Sequence, residues 1–340
     1  MSEQLKKPIA VLELTDEHKA LGKVGAPVDA ATVTPSVQAA PPVEAPKNPE
    51  PQQTFSNRPT LKAIDGKKKG KGKKSQAEAQ VDDGTKRVSG HRVDELVAVT
   101  QSMTPQELIR LVATTGIRHL MQKDGIAYDA EVEAAKKILT NPNCFITDPI
   151  ETILGPAGEG ARMSFKVTCS ASERKTQTLT SFGDFVAGLP GSRTIWDQAL
   201  LIADELYTNG SKNAWDPGTG VFNGPPVRTG TVEFFAEATK DRLVIGCRDS
   251  FGKLNVEHAV NRIATCYENG VAQSIKHGNG GAGIGTYMVF DSSLSYYAGV
   301  DENRWSCVCV VLPLGLSRRQ ATGLPKNIHL ISIKAKERAA

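Results

Sequence analysis

The sequence predicts an α+β protein whose core is a two-layer α/β sandwich with a mixed, largely antiparallel sheet. Strand-like stretches come as adjacent hairpins, and helical stretches fall between the hairpins instead of following every strand. The pattern fills residues 143–318, behind a helical region (89–142) and a tail (1–88) of different composition, and ahead of a short extension (319–340).

Composition sets the outer bounds. The chain has 340 residues, 39% of them hydrophobic and 23% charged, enough for one large domain or two ordinary ones. A formal charge of +4 is too small to argue for nucleic acid by itself. No apolar run approaches the roughly 20 residues needed to span a bilayer. Charges also interrupt the first 20 residues, so a secretory h-region is not expected there. The six cysteines form no C-x-x-C pair. Cys307 and Cys309 alternate in CVCVVL, which puts both thiols on one face of a strand. Buried free thiols and a cytoplasmic setting are expected.

The tail is rich in proline, alanine, glutamate and glutamine, as in PSVQAAPPVEAPKNPEPQQ, and nearly lacks aromatics. Such a segment cannot bury enough apolar surface to offset its conformational entropy, so disorder is predicted. Its end, GKKKGKGKKSQ (66–76), is either a solvated tether or a sequence-blind electrostatic contact with nucleic acid or an anionic membrane surface.

The region after it reads as helical. Thr104-Pro105-Gln106-Glu107 combines an N-cap threonine, a proline at the first helical position and the glutamate of a capping box. Leu108, Leu111, Val112 and Leu120 continue as an apolar stripe. A second helix is predicted to begin after Asp129 and to end before Asn141-Pro142. His119, lacking an acidic neighbour, reads as a surface or core histidine, not a phospho-acceptor.

In the third region, FITDPIETILGPAGEGARMSFKVTCS reads as a hairpin around a Pro/Gly turn. Helices are expected in SERKTQTLTSFGDFVAGL, TIWDQALLIADELYTNGSKNAW and NVEHAVNRIATCYENG. Hairpins are expected in GTVEFFAEATKDRLVIGCRDS, around Lys240-Asp241, and in SLSYYAGVDENRWSCVCVVLPL, around Asp301-Glu302-Asn303.

The chemistry concentrates in three stretches. In GNGGAGIGTYMVF (278–290), glycines lead directly into a helix. Gly278, Gly280 and Gly283 match G-x-G-x-x-G, but a dinucleotide fingerprint needs a strand just before it, and the preceding ENGVAQSIKH is polar and helix-like. In the ELYTNGSKN helix, Glu205, Asn209 and Asn213 share one face at a spacing of four. That face is either solvated or a source of oxygen ligands for a divalent cation. Asp249 closes a strand and is followed by Gly252, either as a turn or as a carboxylate pointing into a cleft.

In order and spacing, ELYTNGSKNA, DSFG and GGAGIGTYMV resemble the N, G1 and G2 boxes of the histidine-kinase-like ATPase superfamily, the GHKL or Bergerat fold. The nearest likeness is to the anti-sigma-factor serine kinases, and it covers about residues 144–316. The resemblance implies a Bergerat ATP-binding fold with ATP and Mg²⁺ as cofactors. It implies Asn209 as the magnesium ligand, Glu205 as the residue that polarises the attacking water or hydroxyl, and Asn213 beside them. Asp249 would read adenine, with Gly252 letting the base approach the backbone. Gly281, Gly283, Ile284, Gly285 and Thr286 would wrap the phosphates at a helix N-terminus. Residues 253–277 would form a lid, with Arg262, Lys276 and His277 as phosphate contacts. A regulatory partner of sigma-factor or anti-sigma-antagonist type and a homodimer follow from the same likeness.

This sequence departs from the family pattern in places. The G1 box has Ser250 and Phe251 where D-x-G-x-G is usual, and Gly210 replaces the alanine after Asn209 at a helix cost of up to about 1 kcal/mol. Asn213 stands where many relatives have histidine or arginine, and the link PGTGVFNGPPVRTG (217–230) is long. Two functions fit: an ATP-dependent serine/threonine kinase or ATPase, and a nucleotide-gated protein-interaction module without chemistry. A sensor histidine kinase lacks its phospho-accepting helix here, and a DNA-acting ATPase its transducer domain.

Overall fold

The computed structural model of the protein describes residues 11–13, 87–88, 91–92, 95–101, 103–156, 162–169, 175–213, 230–274, 284–321 and 323–334. All of them belong to one compact unit, Met1–Gly25 with Thr85–Ala340. The lysine run 66–76 lies outside the described residues. Among the described residues no helix is long and apolar enough to cross a membrane.

The architecture is mixed α+β. The strands are β1 (Val11–Glu13), β2 (Arg87–Val88), β3 (His91–Arg92), β4 (Val97–Thr100), β5 (His119–Gln122), β6 (Met163–Cys169), β7 (Val232–Ala238), β8 (Arg242–Asp249), β9 (Ser295–Asp301), β10 (Trp305–Pro313) and β11 (Asn327–Ile333). The helices are α1 (Pro105–Thr115), α2 (Tyr128–Thr140), α3 (Asn143–Thr147), α4 (Pro149–Leu154), α5 (Lys175–Ala187), α6 (Trp196–Asn213), α7 (Val256–Asn269), α8 (Val271–Ser274), α9 (Gly285–Ser292) and α10 (Arg318–Ala321). Among the described residues the main sheet has nine strands in the order β1-β4-β5-β11-β9-β10-β8-β7-β6, and β2 and β3 pair separately. The run β9-β10-β8-β7-β6 is antiparallel, whereas β1-β4-β5 and β11-β9 are parallel pairs.

Helices cover both faces of the sheet, which corrects the two-layer expectation. One core joins Phe182, Ile202, Leu206, Ile263 and Phe290 of α5, α6, α7 and α9 to Phe234, Ile245, Tyr296 and Val310. The other joins Ile138, Phe145, Ile146 and Ile153 of α2, α3 and α4 to Val244, Tyr297, Cys309 and Val311. Strand β10 feeds the two cores with alternate residues, so its unbroken apolar run is that of a strand buried on both sides. Cys307 and Cys309 do share a face, with sulfurs 3.7 Å apart. The six cysteines are free, all buried except the half-buried Cys144.

The first half of FITDPIETILGPAGEGARMSFKVTCS is helical, not a strand. Asp148 caps α4 by accepting from Glu151 N at 3.0 Å, with Pro149 at the first helical position. Short D-P-x-E starts of this kind outweigh a β-branched run. On that side of the sheet the polar face of β7 and β8 is used as well. Arg248 pairs with Glu233 and donates from Nη1 to the carbonyls of Ile146 (2.7 Å) and Thr147 (3.1 Å), closing the end of α3.

The reading of 89–142 as purely helical needs the same correction. The capping box at Thr104 is present, and α1 ends at Gly116 with φ 80°. But LVAVT and HLMQ form β4 and β5, with α1 as the crossover between two parallel strands. Leu120 therefore sits in a strand and His119 is buried. The C-terminal extension supplies β11, which lies inside the sheet between β5 and β9. Within the tail, Val11–Glu13 pairs with Val97–Val99 as an edge strand, so those residues are not disordered.

Candidate nucleotide-binding cavity

The cavity of interest, about 550 Å³, opens between α6, the end of β8, α7 and the start of α9. Helix α6 exists because a continuous apolar set, Ala199, Ile202, Ala203, Leu206 and Tyr207, is buried against the sheet. The remaining face then carries Asp204, Glu205, Thr208 and Asn209 into the cavity wall.

Asp249 is 4% exposed. It ends β8 and accepts from Phe251 N at 3.0 Å. Burial pushes its carboxyl up to about 6, against hydrogen bonds from Phe251, Ser306 and Gly252 that act the other way. A carboxylate has about four acceptor positions, so one on the wall of a cavity can take a further donor beside these.

Ile284, Gly285 and Thr286 line the cavity at the start of α9. A Cβ on Gly285 would lie 1.9 Å from Glu205 Oε2, so the carboxylate of Glu205 rests against the first residue of that helix. Negative charge at a helix N-terminus is favourable, and only glycine admits it this closely.

The sequence-predicted residues Glu205, Asn209, Asp249, Arg262, Ile284, Gly285 and Thr286 thus share one cavity. Gly252 lies beside it with φ 59°, where a Cβ would meet Asp301 O at 2.2 Å and Arg304 N at 2.5 Å. Its smallness serves the packing of that turn on the β9–β10 connection. The Phe251 ring packs against Gly230, on which a Cβ would lie 1.8 Å from Phe251 Cζ, and does not line the cavity. Asn213 ends α6, and its side chain lies outside the described residues. So do Lys276, His277, Gly281 and Gly283.

Sequence reasoning missed several lining residues. Lys175, at the start of α5, pairs with Asp204 at 2.7 Å and donates to Thr208 Oγ1 at 2.7 Å. Lys253 and His258 line the α7 side together with Arg262. His258 could have been found from its spacing of four to Arg262 and from the Asn255 cap, whose Oδ1 accepts from His258 N at 2.8 Å. Lys175 left no local signal, because its partners are on the next helix. Three carboxylates (Asp204, Glu205, Asp249) and three cations (Lys175, Lys253, Arg262) therefore face one space, suited to a ligand with both donors and anionic groups.

Gly210 has a packing reason. A Cβ there would lie 2.6 Å from Cys247 Sγ and 3.4 Å from Val232 Cγ1, so α6 rides directly on β8 at this point. Gly210→Ala is expected to destabilise the fold by about 1–3 kcal/mol through overpacking, despite the better helix propensity of alanine. Adding Cys247→Ala should restore most of the loss in thermal denaturation. Additive losses would show that the contact is not the cause.

No protein-family model and no curated protein sequence matches the chain.

Proposed function

We propose that this protein is a Mg-ATP-binding regulator with a histidine-kinase-like ATPase domain of the Bergerat type, nearest in kind to anti-sigma-factor serine kinases. The observation that carries the reading is convergence. Three sequence stretches, those that contain Asn209, Asp249 and Thr286, supply walls of one cavity although long segments separate them in the chain. Its volume of about 550 Å³ lies within the roughly 300–1,000 Å³ typical of small-ligand sites. Asp249 supplies the acceptor for the exocyclic amine of adenine. The N-terminus of α9 supplies N–H groups and the positive end of the helix dipole for phosphate.

The donor set fits magnesium. Among the described residues no cluster of three or more His, Cys, Asp or Glu forms an all-protein metal cage. Mg²⁺ does not need one, since it takes one or two protein oxygens and completes its shell with water and phosphate. Asn209 is the oxygen donor for the ion on the α6 wall, one turn from Glu205. When bound, the ion would neutralise charge on the phosphates. Glu205 would hold the proton of an attacking hydroxyl, and Lys175, Lys253 and Arg262 would orient the anionic part of the ligand.

The position of Glu205 also favours a second reading. Resting on the start of α9, it serves the helix as well as any substrate, as a nucleotide-gated module without turnover would require. Glu205→Gln separates the two. Both readings expect calorimetric binding of Mg-ATP to the full chain, tightened about two- to fivefold in the variant because a competing charge leaves the helix N-terminus. The enzyme reading alone expects phosphate release or partner labelling by the native protein, falling about 10²- to 10⁴-fold in the variant. Absence of Mg-ATP binding by the folded native chain would sink both.

A further inference from the structure

We propose that Lys326 is a positioning residue for the nucleotide phosphates: it fixes the far end of the helix whose first residues line the candidate cavity. The inference rests on the nucleotide reading above and extends it to a residue outside all three sequence stretches.

Lys326 stands just ahead of β11. Its Nζ donates to Asp291 O at 2.7 Å, Ser293 O at 2.7 Å and Phe290 O at 3.2 Å, the carbonyls at the C-terminal end of α9. Those are the groups that no helix can satisfy from within itself. Phe290 O also accepts from Ser293 N and Ser293 Oγ, at 3.2 and 3.0 Å. Lys326 makes the short contacts to the other two. Burial pulls the Lys326 ammonium down to about 8, with Asp291 acting against the shift, so it carries its charge at neutral pH.

The anchor belongs to the sheet. Gln122 Nε2 of β5 donates to Lys326 O at 3.2 Å, and Asn327, the next residue, enters β11 and donates from Nδ2 to Ser295 Oγ at 3.1 Å. The ammonium therefore holds the helix against three strands. Helix α9 has only eight residues, about 12 Å of rise, so what fixes one end fixes the other. A cation at the C-terminus and an anion at the N-terminus act on one dipole with the same sign. Lys326 therefore supports phosphate binding by position and by charge without touching the ligand.

On the proposed reading adenine meets Asp249 and phosphate meets the start of α9, which makes the test selective. Calorimetry on the full chain would compare ATP, ADP and adenosine for the native protein and Lys326→Met. The expected result is a loss of about two- to fivefold in ATP and ADP affinity with adenosine affinity unchanged. Lys326→Arg should retain most of the phosphate affinity. An equal loss for adenosine, or an unchanged ATP-to-adenosine ratio in folded variant, overturns the proposal. Should Lys326→Met fail to fold, Lys326→Gln, which keeps N–H donors without the charge, is judged by the same ratio. Native protein that binds none of the three ligands overturns the nucleotide reading and this inference with it. Native binding with an unmoved ratio overturns the inference alone.

Discussion

Asp249→Asn is expected to weaken adenine-nucleotide binding by about ten- to hundredfold while raising thermal stability at pH 8. The first effect follows from the proposed role of the carboxylate as acceptor for an exocyclic amine: a hydrogen bond to a buried charged group contributes about 1.5–3 kcal/mol. The second follows from linkage. Burial raises the Asp249 carboxyl from an ordinary value of 3.8 to about 6 in the folded chain. Between those values the folded state holds a proton that the unfolded state has released, so stability falls as pH climbs from about 4 to about 6. The deficit then persists at higher pH. Asparagine carries no charge to desolvate and keeps an oxygen for Phe251 N, so it removes the deficit. Thermal denaturation at pH 4 and pH 8 checks this: the variant should gain at pH 8 and show little gain at pH 4. Equal shifts at both, or retained ATP affinity in calorimetry, would contradict the assignment. The native protein should also bind ATP less well below about pH 6, where Asp249 takes up its proton.

Glu131→Ala is expected to cost about 3–5 kcal/mol, since it leaves three buried donors without their acceptor at about 1–3 kcal/mol each. Glu131 is 1% exposed and accepts from Ser295 Oγ (2.7 Å), Tyr297 OH and His329 Nε2 (3.0 Å). His329 Nδ1 in turn lies 3.3 Å from His119 Nδ1. One side chain of α2 is thus held by β9 and β11, with β5 behind. Burial raises the Glu131 carboxyl, but its bonds to His329, Tyr297 and Ser295 outweigh that, leaving it below the ordinary 4.5. Its stabilisation is therefore present above about pH 4.5 and lost as pH falls. Burial, with the charges of His329 and Arg118, holds His119 well below the usual histidine value of 6.5. It stays neutral in the fold while the unfolded chain takes up a proton, so stability declines as pH drops through 6.5. Both groups act in the same direction, against Asp249 between about pH 6 and pH 4. Urea denaturation of the Asp249→Asn chain from about pH 8 to pH 4 should therefore show a steady loss that the native chain shows only in part. Glu131→Gln, which keeps acceptor capacity, should cost less than alanine. A loss below about 1 kcal/mol for Glu131→Ala would mean that the network is incidental.

Much of the local structure was legible. The start of α1 was readable because Thr104, Pro105 and Glu107 satisfy one another within four residues. The two hairpins β7–β8 and β9–β10 were readable for the same reason, as each strand finds its partner across a short turn. The polar face of α6 was readable from a spacing of four. By contrast, β4, β5 and β11 are short or lie outside the motif-bearing region, and β11 finds one partner, β5, some 200 residues earlier. Helices α3 and α4 were misread because a run of Phe, Ile and Thr favours strands until a sheet face is available to receive it.

What the sequence by itself determined is which polar residues share a helix face or close a strand and which segments are hairpins or capped helices, because periodicity, caps and turns act over a few residues. Only the tertiary structure decided that helices cover both faces of the sheet, that β11 lies inside it, and that Lys175 and Lys326 serve the cavity and its helix. Those contacts depend on burial and charge pairing between segments far apart in the chain, and no local pattern encodes where such a partner will stand.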